Sequence, residues 1–260
     1  MQDRLRACLA VGITLGMSEV CAGSLLYDRS GAACRKHVGT WGRLMVRHLG
    51  IDLQVRGGDA VDWSQPLVVM ANHNSHLDIP VLFTALPRVF GMLAKDSLFR
   101  FPFFGQAMHG IGCVPIDRDD KAGARDSILR AAAQVRGGDS IVVFPEGTRG
   151  DGTTVRPFKK GAFHLVQMAG VPIVPVGLRG TAAVCPRDDF RVRPGVVNVA
   201  IGEPIKPVGT GAQARTRLME QVRVAIGQLT GLPLADDERG PTPSARAVTS
   251  APSSCRPSEG

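Results

Sequence analysis

Between Leu53 and Ile201, seven short apolar runs alternate with stretches of helical period, and no other feature restricts the fold as much. The runs cover 53–56, 67–71, 89–94, 113–116, 141–144, 173–178 and 196–201. Their apolar and β-branched content suits strands buried in a sheet. Helices are expected over 78–86, 122–135, 163–168 and 214–229. In the second, Ile128, Leu129, Ala132 and Val135 recur on one face and give that helix a side to lay on the sheet. Gly137-Gly138-Asp139 should close it, and Gly170 should close the next helix ahead of Val171-Pro172. Such an alternation predicts an α/β fold, not a barrel of hairpins, with its chemistry at strand ends.

No repeat or interdomain linker interrupts the first 235 residues, so 51–235 is expected to form one α/β domain on a single sheet. Residues 1–50 are expected to be helical and membrane-associated. Residues 7–18 carry no charge and follow Arg4 and Arg6, but Glu19 ends the run short of the roughly 20 residues of a spanning helix. A helix over 5–26 suits an interfacial position or a shallow insertion. An ordinary packed helix, or a true span or signal segment, are the other two readings. Residues 236–260 hold four Pro, five Ser and no extended apolar face, which predicts a flexible tail.

The tail carries four acidic and three basic residues, a net −1, against +8 for the whole chain, so residues 1–235 carry +9. That excess admits nucleic acid, an anionic bilayer or a phosphorylated small molecule. Nucleic acid is not expected, because one Tyr and two Trp supply little stacking surface and no recognition element accompanies the charge. Cys8, Cys21, Cys34, Cys113, Cys185 and Cys255 form neither a CxxC pair nor a Cys/His cluster. Neither a metal site nor a disulfide scaffold is expected.

Asn72-His73-Asn74-Ser75-His76-Leu77-Asp78 follows the second apolar run and precedes a helix. Within one helix, His and Asp five apart face different directions. In a strand-to-helix turn they can converge, so that Asp78 accepts the proton of one imidazole nitrogen of His73 and leaves the other as a base. With no strong Ser or Cys nucleophile motif present, direct attack by an activated substrate hydroxyl is the economical chemistry. The competing reading is structural, since Ser75-x-x-Asp78 also fits a capping box. Pro80 weighs against it: capping by Ser75 puts Pro80 at the fifth helical position and removes a backbone bond, whereas a start at Asp78 puts it at the second. His76 is assigned to loop orientation or packing.

Phe144-Pro145-Glu146-Gly147-Thr148-Arg149 begins where the strand of 141–144 ends. Pro and Gly force a turn, Arg149 can present several donors to a phosphate, and Glu146 can hold a donor or orient the loop. Alone, the segment also fits a surface turn with a salt bridge. Phe99, Phe101, Phe103 and Phe104 flank Arg100 and make a surface able to receive acyl chains or rest on a bilayer, or a loop folded onto the core. Arg156, Lys159 and Lys160 can face phosphate or simply solvent.

Taken together, these motifs resemble the glycerolipid acyltransferase family, particularly its 1-acylglycerol-3-phosphate (lysophosphatidate) acyltransferases. The resemblance runs from about Pro66 to Pro204. His73 and Asp78 match the family's HxxxxD motif, and 144–149 matches its FPEGTR block. Residues 112–118 resemble its second block and 171–176 its VPIVPV block. Gly150 departs from the pattern, many relatives having Ser there. The fold class expected is α/β, with a mixed, mostly parallel central sheet flanked by helices and an N-terminal helical region.

The resemblance implies an enzyme that moves a fatty acyl group from an acyl thioester to the free hydroxyl of 1-acylglycerol-3-phosphate, forming phosphatidic acid. His73 would take the hydroxyl proton while Asp78 steadies the imidazolium. Arg118 and Arg149 would bind the acceptor phosphate with help from Lys95, and Glu146, Gly147 and Thr148 would shape the acceptor site. Pro172 and Ile173, with the Phe cluster, are assigned to an acyl path or membrane contact, an ordinary buried strand being the other reading of the former pair. No bound cofactor is expected; acyl-coenzyme A or acyl carrier protein is the donor, a lysophospholipid the acceptor and the membrane surface a partner. The expected location is the cytoplasmic face of an inner or plasma membrane. Another lysolipid acceptor, such as a lyso-ornithine lipid, or a non-catalytic peripheral membrane protein are the alternatives.

Overall fold

The computed structural model describes residues 2–117, 120–189 and 191–236. Two helices, α1 (Gln2–Ser24) and α2 (Ala32–His48), precede β1 (Ile51–Gly57) and β2 (Val68–Ala71). After α3 (Asp78–Ala85) come β3 (Gly91–Lys95), a 3-10 turn (Asp96–Arg100), α4 (Phe104–Gly110) and β4 (Val114–Ile116). The chain continues through α5 (Lys121–Arg136), β5 (Ile141–Val143), α6 (Lys160–Ala169), β6 (Ile173–Arg179), α7 (Thr181–Val184), β7 (Gly195–Ile201) and α8 (Gly211–Thr230).

The seven strands form one sheet in the order β1-β7-β6-β2-β5-β3-β4. From β6 to β4 the neighbours are parallel, β7 runs antiparallel to β6, and β1 is parallel to β7. The sheet is therefore mixed and mostly parallel, as expected. Alternation along the strands builds two cores. Val69 and Ala71 of β2, Val142 of β5 and Val174, Val176 and Leu178 of β6 pack on the side of α1 to α4. Val68, Met70, Ile141, Val143 and Ile173 pack on the side of α5, α6 and α8. Because helices cover both faces, these strands are apolar throughout except for exposed Arg179 at the end of β6, and each buried Val, Leu or Ile contributes roughly 1.5–3 kcal/mol of transfer free energy.

The helix ends follow their sequence signals. Asp120 caps α5 by accepting from the Ala122 and Gly123 N–H groups. Gly170 ends α6 in the left-handed conformation. The N-terminal region divides into two helices packed on each other, with the indole N–H of Trp41 on α2 donating to Thr14 Oγ1 on α1 at 3.1 Å. On α1, Ala10, Ser18, Cys21 and Ala22 face inward, whereas Leu5, Leu9, Val11, Leu15 and Val20 are exposed. Apart from Asp236, the tail lies outside the described residues.

Candidate active site

β2 and β5 are parallel neighbours, paired from Val68–Ile141 to Met70–Val143. Their C-terminal ends therefore deliver segments 72–77 and 144–150 side by side at one edge of the sheet. Asn72, fully buried, ties the first to β6: its amide donates to Leu178 O at 2.8 Å and its Oδ1 accepts from Leu178 N at 2.7 Å. The next residue, His73, has its backbone held by the second segment, since its N–H donates to Glu146 Oε1 at 2.9 Å and its carbonyl accepts from Gly150 N at 2.7 Å. The two motifs are therefore one unit joined through the peptide groups flanking His73.

His73 Nδ1 lies 2.7 Å from Asp78 Oδ2. Asp78 is wholly buried, and the same oxygen accepts from the Asn74 and Ser75 N–H groups at 2.7 and 2.9 Å. An oxygen engaged as acceptor in this way makes Nδ1 the donor, which leaves Nε2 as the proton-accepting nitrogen of the neutral ring. The ring also stacks on Phe144, with centroids 4.1 Å apart. Backbone, carboxylate and aromatic neighbour thus fix the imidazole in orientation, while its side chain keeps 17% of its surface open.

Only half of the capping-box pattern is present. Asp78 reaches back to the Ser75 N–H, but Ser75 Oγ donates across to Cys185 O at 2.7 Å. The helix starts at Asp78 itself, so Pro80 is its third residue, not its second, and still falls where no N–H has an intrahelical partner.

Glu146 is buried, with 3% of its surface accessible. Burial pushes its carboxyl up to about 7; the His73 N–H bond opposes the rise, Asp78 adds to it, and Arg156 opposes it. Its free oxygen, Oε2, has no hydrogen-bond partner among the described residues, nor do Asn74 Oδ1 and Asp78 Oδ1. Gly147 holds φ +73°, and a Cβ there would meet the Lys159 side chain at 2.6 Å. Thr148 lines a cleft of about 1050 Å³ together with Glu146, Arg156 and Arg187.

Arg149 and Arg187 clasp each other's backbone: Arg149 Nη1 donates to Arg187 O at 3.3 Å, and Arg187 Nη1 donates to Arg149 O at 3.0 Å. Sequence reasoning missed Arg187, which sits outside every block and carries no local signal. His76 lies at the rim of an apolar cavity, where partial burial, then the nearby Arg149 and His73, hold its imidazole below the usual range. Lys95 is exposed at the C-terminal end of β3, on the same sheet edge as His73. Arg118 lies outside the described residues.

The Phe segment divides. Phe101 and Phe103 are exposed, Phe99 packs on His109 with centroids 4.8 Å apart, and Phe104 lines the apolar cavity beside Met17, Trp41 and Leu77. Pro172 and Ile173 are not brought to the site, which corrects their assignment to an acyl path. They lie at the N-terminal end of β6, where Ile173 pairs with Val68, five residues before His73 and so roughly 16 Å along the strand direction. Ile173 is fully buried in the core against α8 and α6, the ordinary-strand reading. Among the described residues, no group of three or more His, Cys, Asp or Glu could hold a metal ion.

A family model described as Acyltransferase matches residues 52–179, the stretch that contains both motif loops. 1-Acyl-sn-glycerol-3-phosphate acyltransferase alpha of Homo sapiens is 34% identical over 70% of this chain and 66% of its own length. Residues 52–179 are a domain of the acyltransferase family.

Other family members agree. The crystal structure of the 1-acyl-sn-glycerophosphate acyltransferase PlsC from Thermotoga maritima superposes with a TM-score of 0.74 at 25% identity, covering 88% of this chain and 96% of that one. A chloroplastic 1-acyl-sn-glycerol-3-phosphate acyltransferase of Brassica napus is 38% identical over 54% of this chain and 41% of its own length. This chain spans about half the length or less of the plant and algal relatives it matches, 39–53%.

Proposed function

We propose that the chain is a lysophosphatidate acyltransferase, transferring an acyl group from a thioester to the free hydroxyl of 1-acylglycerol-3-phosphate. One observation carries this reading: the His73–Asp78 pair is fixed at 2.7 Å at the sheet edge, with Glu146 holding the His73 backbone and Arg149 on the same turn. The curated names of the relatives point to the same acceptor.

In this mechanism the acceptor hydroxyl donates its proton to His73 Nε2 as its oxygen bonds to the thioester carbonyl carbon. The carbonyl π electrons move to oxygen, giving a tetrahedral oxyanion. Collapse re-forms the carbonyl, breaks the C–S bond and returns the proton from the imidazolium to the thiolate. Asp78 lowers the energy of the transient imidazolium, because its charge lies against Nδ1 in a buried site. Arg149 and Arg187 offer guanidinium donors to the acceptor phosphate. Glu146 positions His73 and does not touch the reacting atoms.

The catalytic unit is assigned to 51–235 and membrane contact to the N-terminal region. α1 supports this, being 23 residues long with a mean hydropathy of 1.5 over its most apolar stretch and with Leu5, Leu9, Val11, Leu15 and Val20 exposed. Its neighbours Leu26 and Tyr27 are also exposed, as are Phe101 and Phe103. Such a surface suits the interface of a bilayer that holds both a lipid acceptor and an acyl chain.

The test is a mass-resolved assay of the purified chain against a panel of lysolipids, lyso-ornithine lipid included, with acyl-coenzyme A and acyl-carrier-protein donors. Phosphatidic acid should be the product, and His73→Ala should abolish it while leaving the fold intact. Turnover confined to a non-phosphorylated acceptor, or wild-type turnover by folded His73→Ala, would overturn the reading.

A further inference from the structure

The turn at 144–149 separates two concavities of opposite electrostatic character. On the side of Glu146 and Thr148, the cleft holds Asp151, Asp188, Asp189 and Asp236 among its cations. On the other side, a trough of about 640 Å³ runs between α5 and α6, from Phe144 and Gly147 to His164 and Met168. Its floor is apolar, including Leu93, Ile116, Leu129 and Val143. Among the described residues its only charged or titratable groups are Arg125, Lys159 and His164, all basic.

More positive charge stands behind this rim. Arg215 on α8 reaches over α6, with Nη1 3.4 Å from His164 Nδ1 and 3.3 Å from Gln167 Oε1. Partial desolvation, followed by the charges of Arg215, Lys160 and Arg125, holds the His164 imidazole below its usual range, which places these cations in one field. A site with apolar lining, Arg125 and Lys159 at its rim and no carboxylate among the described residues suits a ligand with a long uncharged arm and several phosphates. Phe144, whose ring stacks on His73, also lines the trough. The volume suits a small molecule, not the face of a protein.

We propose that this trough binds the acyl donor, with the pantetheine arm of an acyl-coenzyme A on the apolar floor and the nucleotide phosphates against Arg125, His164 and Arg215. The proposal rests on the acyltransferase reading and assigns the two sides of the 144–149 turn to the two substrates. The trough, whose lining among the described residues includes no carboxylate, attracts a polyanion. Lys159, which lines both, stands between the donor and acceptor sides.

Binding of free coenzyme A to the purified full chain, measured by titration calorimetry, tests this without turnover. Arg125→Ala and Arg215→Ala should each weaken binding about tenfold, the loss expected for one charge-assisted phosphate contact. In kinetics the same variants should raise KM for acyl-coenzyme A by that factor and leave KM for the lysolipid unchanged. With an acyl-pantetheine donor, which has no phosphate, variant and wild type should coincide. Equal coenzyme A affinity in all variants, an equal KM change with acyl-pantetheine, a change in lysolipid KM instead, or turnover only with acyl carrier protein would each overturn the assignment. A wild type that binds coenzyme A at Arg125 and Arg215 but acylates no lysolipid would overturn the acyltransferase reading and keep the binding site.

Discussion

Replacing Glu146 by Gln separates its role as a brace from any role as an acid or base. The buried carboxyl titrates at about 7 against an ordinary 4.5. Between those values the folded state binds more protons than the unfolded state, so stability falls as pH rises through that window. At about 1.4 kcal/mol per pH unit, the shift corresponds to roughly 3 kcal/mol lost from the wild type between pH 4.5 and pH 7. Gln carries no charge to desolvate, and its oxygen can still accept from His73 N. Glu146→Gln should therefore match the wild type near pH 4.5 and exceed it by about 3 kcal/mol at pH 8. For a chain of this size that is a difference of about 6–12 °C in Tm. Turnover should stay within about tenfold of wild type, the cost of exchanging a charged for a neutral acceptor. Thermal unfolding of both proteins from pH 4.5 to 8.5, in parallel with initial rates, provides the check. A Tm difference independent of pH would refute the buried-charge argument, and a folded but inactive variant would refute the assignment of Glu146 as a brace.

Asp78→Asn should cost on the order of 10²–10³-fold in kcat, because the amide oxygen, kept in place by the Asn74 and Ser75 N–H groups, carries no charge to stabilise the imidazolium; a single-turnover rate near wild type would refute the electrostatic role assigned to Asp78. Gly150→Ser should raise Tm. A Cβ there lies 3.2 Å from Asn74 Oδ1 and 3.7 Å from Glu146 Oε2, two acceptors without partners, so a hydroxyl gains about 1 kcal/mol and the lost glycine freedom about 0.4–1 kcal/mol more; a lower Tm would show that the pocket has no room. The triple change Leu5→Ser, Leu9→Ser and Leu15→Ser removes apolar area from the outward face of α1. It should leave Tm unchanged and weaken liposome flotation at least about 10²-fold; unchanged flotation would place the membrane contact elsewhere.

Much of this architecture was legible because its signals are local. All seven strands lie where the apolar runs predicted them, within two residues at each end, since buried sheet positions admit little but apolar side chains. The Gly signals likewise marked the C-terminal ends of α5 and α6. The spacing of His73 and Asp78 announced a strand-to-helix turn, and Pro80 narrowed where the helix could begin. The subdivision of residues 1–50 into two packed helices and the short α4 were not read, because their small residues carry weak periodicity. The Phe segment could not be divided by sequence either, since which rings turn inward depends on what α1 and α3 leave open beneath them.

What the sequence determined by itself was the α/β fold and the chemical identity of the paired groups, because burial and reactivity belong to residue types. What only the tertiary structure decided was how the groups meet. His73 is held in place because β2 and β5 are parallel neighbours, which places Glu146 and Gly150 against its own peptide groups 73 and 77 residues away. Glu146, expected at the acceptor site, lines the cleft there and also holds the His73 backbone through that same contact. Arg187 joins Arg149, and Pro172 and Ile173 leave the site, for the same physical reason: strand order and direction set which ends coincide, and no local signal in the chain encodes them.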